Sequence, residues 1–181
     1  MNQFLSKINI NSTVDCRFIS SAILSLMLTA PTISYAESVS AAPNGVKYPV
    51  GLKNWRVIGT SYRTDNNTQR AILGNNVAIN AVRSGQTKPW PKGTILAKLV
   101  WKNTQHPVWK DAIVPGDFVH SEIMIKDADK YKATKGWGYA RWKGDAQQPY
   151  GQDQAFAQEC VSCHTKAKGT DYVFTIPANI P

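Results

Sequence analysis

The sequence predicts an α+β fold, a mainly antiparallel β-sheet with a few helices. Three segments concentrate apolar and aromatic residues over strand-like lengths, at residues 94–101, 117–125 and 137–142. Glycine and proline punctuate the chain between them, as in the loop at residues 89–93, which is typical of strands joined by turns. A four-helix bundle does not fit, because the middle of the chain lacks long amphipathic helices.

The first half of the chain predicts the following elements in order. Residues 37–51 are expected to form a loose lead-in. Residues 52–58 have the pattern of a short amphipathic helix, although residues 55–60 fit the start of a strand equally well. Residues 70–75 predict a strand that ends in a turn, and residues 77–83 predict a helix that stops at Ser84-Gly85.

Three further elements are predicted near the C-terminus. Residues 127–133 form a helical turn or two ended by Gly136. Residues 152–160 predict a helix whose C-terminal end leads into a cysteine motif. Residues 171–175 are expected to form a short closing strand.

The cysteine motif is Cys160-Val161-Ser162-Cys163-His164, a C-x-x-C-H sequence. At this spacing two thiols can form thioether bonds to one haem, and the adjacent imidazole becomes an axial ligand of the iron. One rival interpretation is half a zinc site, which needs two more ligands. Another is a thioredoxin-like redox pair, which does not explain His164. The motif therefore predicts a single covalently bound c-type haem, with His164 as the metal ligand.

Residues 1–36 have the features of an export signal. Lys7 and Arg17 precede an apolar stretch at residues 19–30, and small residues lie before a cleavage point after Ala36. The apolar stretch is short for a transmembrane helix, so no stable membrane anchor is expected. Cleavage would remove Cys16 and leave only the motif cysteines. We therefore expect a periplasmic protein with one haem domain at residues 52–181.

The chain is basic, with a net charge of +9. Residues 1–36 contain two basic residues and one acidic residue, so the remainder carries +8. This charge either keeps the surface soluble or serves docking to an acidic redox partner or an anionic membrane. No nucleic-acid-binding motif is present, so nucleic acid is not an expected partner.

An ordered series of short motifs resembles the cytochrome P-460 family, which includes the sheet-rich beta-type cytochromes c′. The resemblance covers about residues 52 to 176, and its order and spacing are more specific than any single piece except the haem motif. One departure is the polar segment 65–69, where the family places an aromatic residue over the pocket. The motifs are Trp55-Arg56-Val57-Ile58-Gly59-Thr60, Arg70, Gly93-Thr94-Ile95-Leu96-Ala97-Lys98, Gly116-Asp117-Phe118, Glu122, Lys126-Asp127, Gly136-Trp137, Cys160 to His164 and Asp171-Tyr172-Val173-Phe174-Thr175.

The resemblance implies a homodimer with an open axial position on the haem iron. In the cytochromes P-460 proper, a lysine of the sheet forms an additional covalent bond to the haem edge, and by position that lysine is Lys98. The implied reaction is oxidation of hydroxylamine to nitrous oxide or nitrite, with electrons leaving to a redox partner protein. The beta-type cytochromes c′ lack the lysine bond and bind nitric oxide in an apolar pocket.

Lys98 also has an interpretation of its own. Strand alternation places Leu96, Lys98 and Val100 on one face. An inward lysine would lose hydration and become available as a neutral, nucleophilic amine, as a bond to haem requires. The alternative is an edge-strand lysine that deters aggregation. The family position favours the first interpretation.

Glu122 and Arg70 are the other candidate site residues. Glu122 matches a pocket carboxylate of the family and is expected to take protons from hydroxylamine. An apolar pocket would raise the pKa of Glu122 towards the neutral range of a general base, whereas the alternative is a pair with a surface lysine. Arg70 matches a basic residue near the family's haem pocket. It is expected either to hydrogen-bond an iron-bound ligand or, more simply, to pair with a haem propionate.

His120 and Met124 share a strand face with Glu122 and leave a third possibility open. Either side chain could fill the sixth iron position, which would make the protein an electron carrier. His120 could instead be a second acid/base group, or a partly buried histidine bonded to a backbone carbonyl. Three hypotheses therefore remain: a hydroxylamine-oxidising enzyme, a nitric oxide-binding protein and an electron carrier. The joint presence of Lys98, Glu122 and Arg70 favours the first.

Overall fold

The computed structural model describes residues 39–179 and confirms the predicted α+β class. Six strands form one antiparallel sheet whose spatial order follows the chain. The predicted signal peptide and its cleavage point lie outside the described residues. No helix among residues 39–179 has the length and apolarity needed to cross a membrane. The strands are β1 Arg56–Arg63, β2 Thr68–Gly74, β3 Ile95–Gln105, β4 Ile113–Lys126, β5 Trp137–Lys143 and β6 Gln148–Pro149.

Two α-helices and three 3₁₀ turns complete the fold of residues 39–179. Helix α1 spans Asn76–Arg83 and begins where the side chain of Asn75 accepts a hydrogen bond from the backbone of Ala78. Helix α2 spans Phe156–His164. The 3₁₀ turns lie at Leu52–Asn54, Lys132–Thr134 and Thr165–Thr170. The first of them runs directly into β1, so the helical and strand interpretations of residues 52–60 each hold for part of that segment.

The two faces of the sheet bury different apolar clusters, as strand alternation requires. Leu96 and Tyr139 pack on the face that carries helix α1 and Val161 of helix α2. Their neighbours Ala97 and Ala140 pack on the opposite face. Because β3, β4 and β5 are covered on both faces, their side chains have fixed orientations, and this fixes the residues that face the site.

Residues 39–48 cover the second face, which differs from the loose lead-in expected for this segment. Ala42 and Val46 are buried in the same cluster as Trp142. The indole N–H of Trp142 donates to the backbone carbonyl of Ser40 at 2.8 Å, and the Asn44 amide donates to the carbonyl of Tyr139 at 2.7 Å. The sequence did not predict this packing, because the segment is too short and too polar to show an apolar period.

Val46→Ala tests whether this segment stabilises the domain. Val46 is 1% exposed, so the substitution should lower the free energy of unfolding by about 2 kcal/mol through lost burial and a residual cavity. The measurement is chemical denaturation. Val50→Ala is the matched control, because Val50 is 96% exposed and its substitution should leave the midpoint unchanged. Equal midpoints for the Val46→Ala variant and the unsubstituted protein would show that the segment is not part of the folded core.

Two predictions near the C-terminus are corrected. The helix expected at residues 152–160 begins four residues later and continues through His164, because the chain first turns at Gly151, whose φ is 97° and which lies against Phe156. Residues 171–175 do not form a strand. Asp171 and Tyr172 have φ angles of 52° and 65°, and their carbonyl groups accept from the side chains of Trp137 and His164 rather than from the backbone of a neighbouring strand.

Candidate haem site

A cavity of about 430 Å³ is lined by residues of the sheet, of helix α2 and of the C-terminal segment. Its volume falls in the range of about 300–1,000 Å³ that is typical of ligand and cofactor clefts. All six residues that the sequence analysis assigned to a site line this one cavity: Arg70, Lys98, Glu122, Cys160, Cys163 and His164. The fold therefore brings together residues that lie far apart in the sequence.

Helix α2 contributes the residues of the C-x-x-C-H motif. Cys163 and His164 follow Cys160 by three and four residues, so the three side chains lie on the same side of the helix. Cys160 is half-buried and Cys163 is exposed, and both are free thiols. Burial raises the pKa of the Cys160 thiol, which keeps it protonated at neutral pH.

His164 is oriented by a hydrogen bond to the backbone of Tyr172. Its Nδ1 lies 2.6 Å from the carbonyl oxygen of Tyr172, so Nδ1 carries the proton and donates it. Nε2 is then left with the lone pair that a metal requires. Burial lowers the pKa of His164 below its ordinary value, although the hydrogen bond to Tyr172 opposes the shift. The neutral imidazole is the form that binds iron.

Aromatic rings enclose His164 on two sides. The centroids of Tyr139 and Phe174 lie 5.1 Å and 5.2 Å from the imidazole centroid. Phe118, which could have replaced the aromatic residue missing from segment 65–69, packs instead against Trp101 at 5.8 Å. Phe118 does not line the cavity, whereas the polar Asn66 does.

A row of side chains crosses the sheet opposite the helix. The pairing register aligns Ile72 on β2, Lys98 on β3, Glu122 on β4 and Arg141 on β5, and all four line the cavity. Because β3 pairs with both β2 and β4, Lys98 lies on a central strand. The edge-strand interpretation of Lys98 is therefore wrong.

Glu122 is the centre of a charged cluster within this row. The ammonium of Lys98 bonds its Oε2. Arg141 donates to Oε1 from Nε at 2.8 Å and from Nη2 at 2.6 Å. Nε2 of His120 lies 3.3 Å from the same oxygen. His120 thus contacts a carboxylate rather than the backbone carbonyl considered from the sequence.

The pKa of Glu122 shifts in the direction opposite to the prediction. Burial alone would raise the pKa, but the hydrogen bond from His120 and the charges of Lys98 and Arg141 outweigh it and hold the pKa well below its usual range. The sequence could not show this, because Lys98, His120 and Arg141 reach Glu122 from three positions of the folded sheet. Glu122 is therefore ionised at every physiological pH.

Glu122→Gln is expected to lower the free energy of unfolding by about 2 kcal/mol at pH 7, because it leaves Lys98 and Arg141 without their counter-charge. A lowered pKa stabilises the folded protein fully above the ordinary value of 4.5 and progressively less below it. The difference between the variant and the unsubstituted protein should therefore shrink as the pH falls below 4.5. Denaturation curves at pH 7 and about pH 3 measure both effects. A constant difference would show that Glu122 is not stabilised by these ion pairs.

Two buried polar atoms in the cavity wall support the fit of a haem. Arg70 is 8% exposed, and its Nη1 has no hydrogen-bond partner among residues 39–179. The hydroxyl of Tyr139 is likewise buried without a partner in the described part of the chain. Burial lowers the pKa of Arg70 and raises that of Tyr139. Such groups are costly unless a ligand satisfies them, and carboxylates such as haem propionates match both donors.

Arg141 and Tyr139 are site residues that sequence reasoning missed. The sequence contained a signal for both, because alternation in residues 137–142 places Trp137, Tyr139 and Arg141 on one face. Met124 also lines the cavity, as its shared face with Glu122 predicts. Among residues 39–179 no group of three or more His, Cys, Asp or Glu side chains is arranged to hold a metal ion.

Comparison with known protein families gives one match. The family model described as Cytochrome P460 matches residues 49–175, which is more than half of the chain and includes every site residue named above. No curated protein matches the chain.

Proposed function

Because the chain belongs to the cytochrome P460 family, whose members are haem proteins, we propose that it is an exported c-type cytochrome that oxidises hydroxylamine at its haem iron. One observation carries this proposal. The haem-attachment residues of helix α2 share a single cavity with Lys98, Glu122 and Arg70 of the sheet. Fold and haem alone would not indicate activity, but this set of residues supplies groups that can bind a substrate and accept protons.

Five residues would hold the haem. Cys160 and Cys163 would form the thioether bonds, and His164 would bind the iron through Nε2. The unpaired donors of Arg70 and Tyr139 would bind its carboxylates. The bound haem supplies an iron centre that withdraws electrons from a nitrogen compound at its open axial position.

Glu122 is the proposed proton acceptor. Conversion of two hydroxylamine molecules to nitrous oxide and water releases four protons and four electrons, so the pocket needs a route for protons. Glu122 is ionised and lines the cavity, and His120 lies 3.3 Å from its Oε1 as a second group that can carry a proton. The four electrons leave to a redox partner protein.

Lys98 links haem modification to the basicity of Glu122. In the present ion pair, the charge of Lys98 contributes to the low pKa of Glu122. The proposed covalent bond between Lys98 and the haem edge would remove that charge. The pKa of Glu122 would then rise, because the carboxylate loses the charge of one of its ion-pair partners, and it would become a better base.

Location and partners form part of the same proposal. Residues 1–36 would direct export to the periplasm, where the haem is attached. The net charge of +8 on the remaining chain suits an acidic electron acceptor. The family resemblance favours a homodimer.

Nitric oxide binding is a second candidate, favoured by one specific observation. Lys98 is engaged with Glu122 as an ion pair, and a protonated amine is not a nucleophile towards the haem edge. Ile72, Leu96 and Met124 add apolar surface to the cavity, which suits a small uncharged ligand. For the electron-carrier hypothesis, Nε2 of His120 is directed to Glu122, which leaves Met124, also in the cavity wall, as the candidate sixth ligand.

An anaerobic assay of the haem-loaded protein separates these functions. The measurement is reduction of an artificial electron acceptor on addition of hydroxylamine, with analysis of the nitrogen products. The proposal predicts hydroxylamine-dependent reduction and formation of nitrous oxide or nitrite. Tight nitric oxide binding without turnover would contradict hydroxylamine oxidation and support nitric oxide binding as the function. A six-coordinate low-spin spectrum would replace both with an electron carrier.

A further inference from the structure

The segment that follows helix α2 contains two adjacent residues with left-handed backbone. Asp171 and Tyr172 have φ angles of 52° and 65°, a conformation that non-glycine residues rarely adopt. Such backbone persists only where the surrounding structure fixes it, and it is concentrated at functional sites. In this turn, the carbonyl oxygen of Tyr172 lies 2.6 Å from Nδ1 of His164.

A buried ion pair holds this turn in place. Nζ of Lys126 lies 2.7 Å from each carboxylate oxygen of Asp171, and both side chains are about nine-tenths buried. The same carboxylate accepts the backbone N–H of Trp90 at 2.9 Å. The indole N–H of Trp137 donates to the backbone carbonyl of Asp171 at 2.8 Å. The turn is therefore fixed through both the side chain and the backbone of Asp171.

Lys126 is itself fixed by the sheet. It is the last residue of β4, it is 8% exposed, and its Nζ lies 4.9 Å from the ring centroid of Trp137. A buried ion pair seldom stabilises a fold more than apolar packing of similar volume would. The Lys126–Asp171 pair lies at the turn of residues 171–172, which contacts the proposed iron ligand His164. This position indicates that the pair orients His164.

We propose that the Lys126–Asp171 ion pair is a positioning device for the proximal ligand: it fixes the turn at residues 171–172, keeps the Tyr172 carbonyl on the Nδ1–H of His164, and thereby sets electron donation from the imidazole to the haem iron. This inference rests on the haem-binding part of the proposed function and not on the reaction catalysed. Lys126 and Asp171 act through His164 and are positioning residues.

The hydrogen bond to Tyr172 gives the direction of the effect. A carbonyl that accepts from Nδ1–H makes the imidazole a stronger donor through Nε2. A stronger donor stabilises the oxidised iron and strengthens the bond between iron and nitrogen. A displaced carbonyl should therefore raise the midpoint potential and lower the iron–histidine stretching frequency.

Lys126→Met tests the proposal, because methionine keeps most of the volume and removes the charge. In the haem-loaded protein we expect a more positive midpoint potential and a lower iron–histidine frequency in the resonance Raman spectrum of the ferrous form. Lys126→Arg should return both values towards those of the unsubstituted protein. Lys92→Met is the matched control: Lys92 pairs with Asp127 and Asp129 on the surface, and the variant carries the same charge change without contact to Asp171.

A readout without haem separates this inference from the proposed function. In the haem-free protein, NMR measures the exchange of the His164 Nδ1 proton with water. Exchange should be at least about 10-fold faster in Lys126→Met than in Lys92→Met, because loss of a hydrogen bond of about 1.4 kcal/mol corresponds to that factor. Failure to bind haem would overturn the proposed function and leave this comparison intact.

Asp171→Asn provides a second variant, because it keeps the shape and can still accept from the Trp90 N–H. It should shift the potential, the Raman band and the exchange rate in the same directions by smaller amounts. The proposal is overturned if Lys126→Met, or Asp171→Asn where the first variant does not fold, leaves all three readouts at the values of the Lys92→Met control.

Discussion

Lys98→Met is expected to lower the rate of hydroxylamine oxidation by about 10- to 100-fold, the usual range for loss of a group that tunes a metal centre. Methionine has a similar reach but no amine, so the additional bond to the haem edge cannot form. Haem attachment through helix α2 should be unaffected, because Lys98 lies on β3, across the cavity from the motif. The measurement is steady-state turnover together with the intact mass.

Lys102→Met is the control for this variant. Lys102 lies on the same strand but is exposed, and it does not line the cavity. Its substitution removes the same charge and should leave turnover unchanged. A second effect is specific to Lys98 before haem is attached: Lys98→Met should raise the pKa of Glu122 in the haem-free protein, because the carboxylate loses the charge of its ion-pair partner. Full turnover in Lys98→Met would contradict a role for the lysine in catalysis.

Glu122→Gln is expected to lower kcat by about 10²- to 10⁴-fold, the usual contribution of a positioned general base. Glutamine keeps the shape and the hydrogen bond from Arg141 but cannot accept a proton. Loss of activity at acid pH in the unsubstituted protein should follow protonation of Glu122, and this acid limb should be absent from the residual activity of Glu122→Gln. The measurement is the pH profile of kcat in both proteins.

Asp117→Asn is the control for the carboxylate. Asp117 lies on the same strand as Glu122 but is exposed, and it does not line the cavity. Its substitution should leave the pH profile in place. Unchanged kcat in Glu122→Gln would show that protons leave by another route and would reduce Glu122 to the ion-pair partner of Lys98 and Arg141.

Strand alternation predicted the central part of this protein well. Alternation along β3 placed Leu96 and Lys98 on one face, and alternation along β4 placed Glu122 and Met124 on one face; all four residues line the cavity. The family resemblance, not the period, favoured the pocket for Lys98 and Glu122. The haem motif was also evident, because its spacing is local and specific. These features depend only on the sequence near each residue, which is why they could be read without the fold.

The sequence-based predictions failed for features that depend on contacts between distant residues. The pKa of Glu122 is governed by Arg141 and His120 as well as by burial, and the strand register that brings Arg141 alongside is not visible in the sequence. Residues 171–175 are rich in strand-forming residues, yet Tyr172 uses its carbonyl for His164 and not for a neighbouring strand. Packing of residues 39–48 depends on Trp142, about one hundred residues away.

The optical spectrum of the reduced, haem-loaded protein, recorded with its intact mass, shows whether Lys98 modifies the haem. A Lys98 bond to the haem edge alters the ring itself, so we expect a ferrous Soret band displaced far to the red of an ordinary c-type haem. The mass should show one haem attached to the chain. A Soret band at the ordinary high-spin position would contradict the modified haem and leave nitric oxide binding as the function that the site supports.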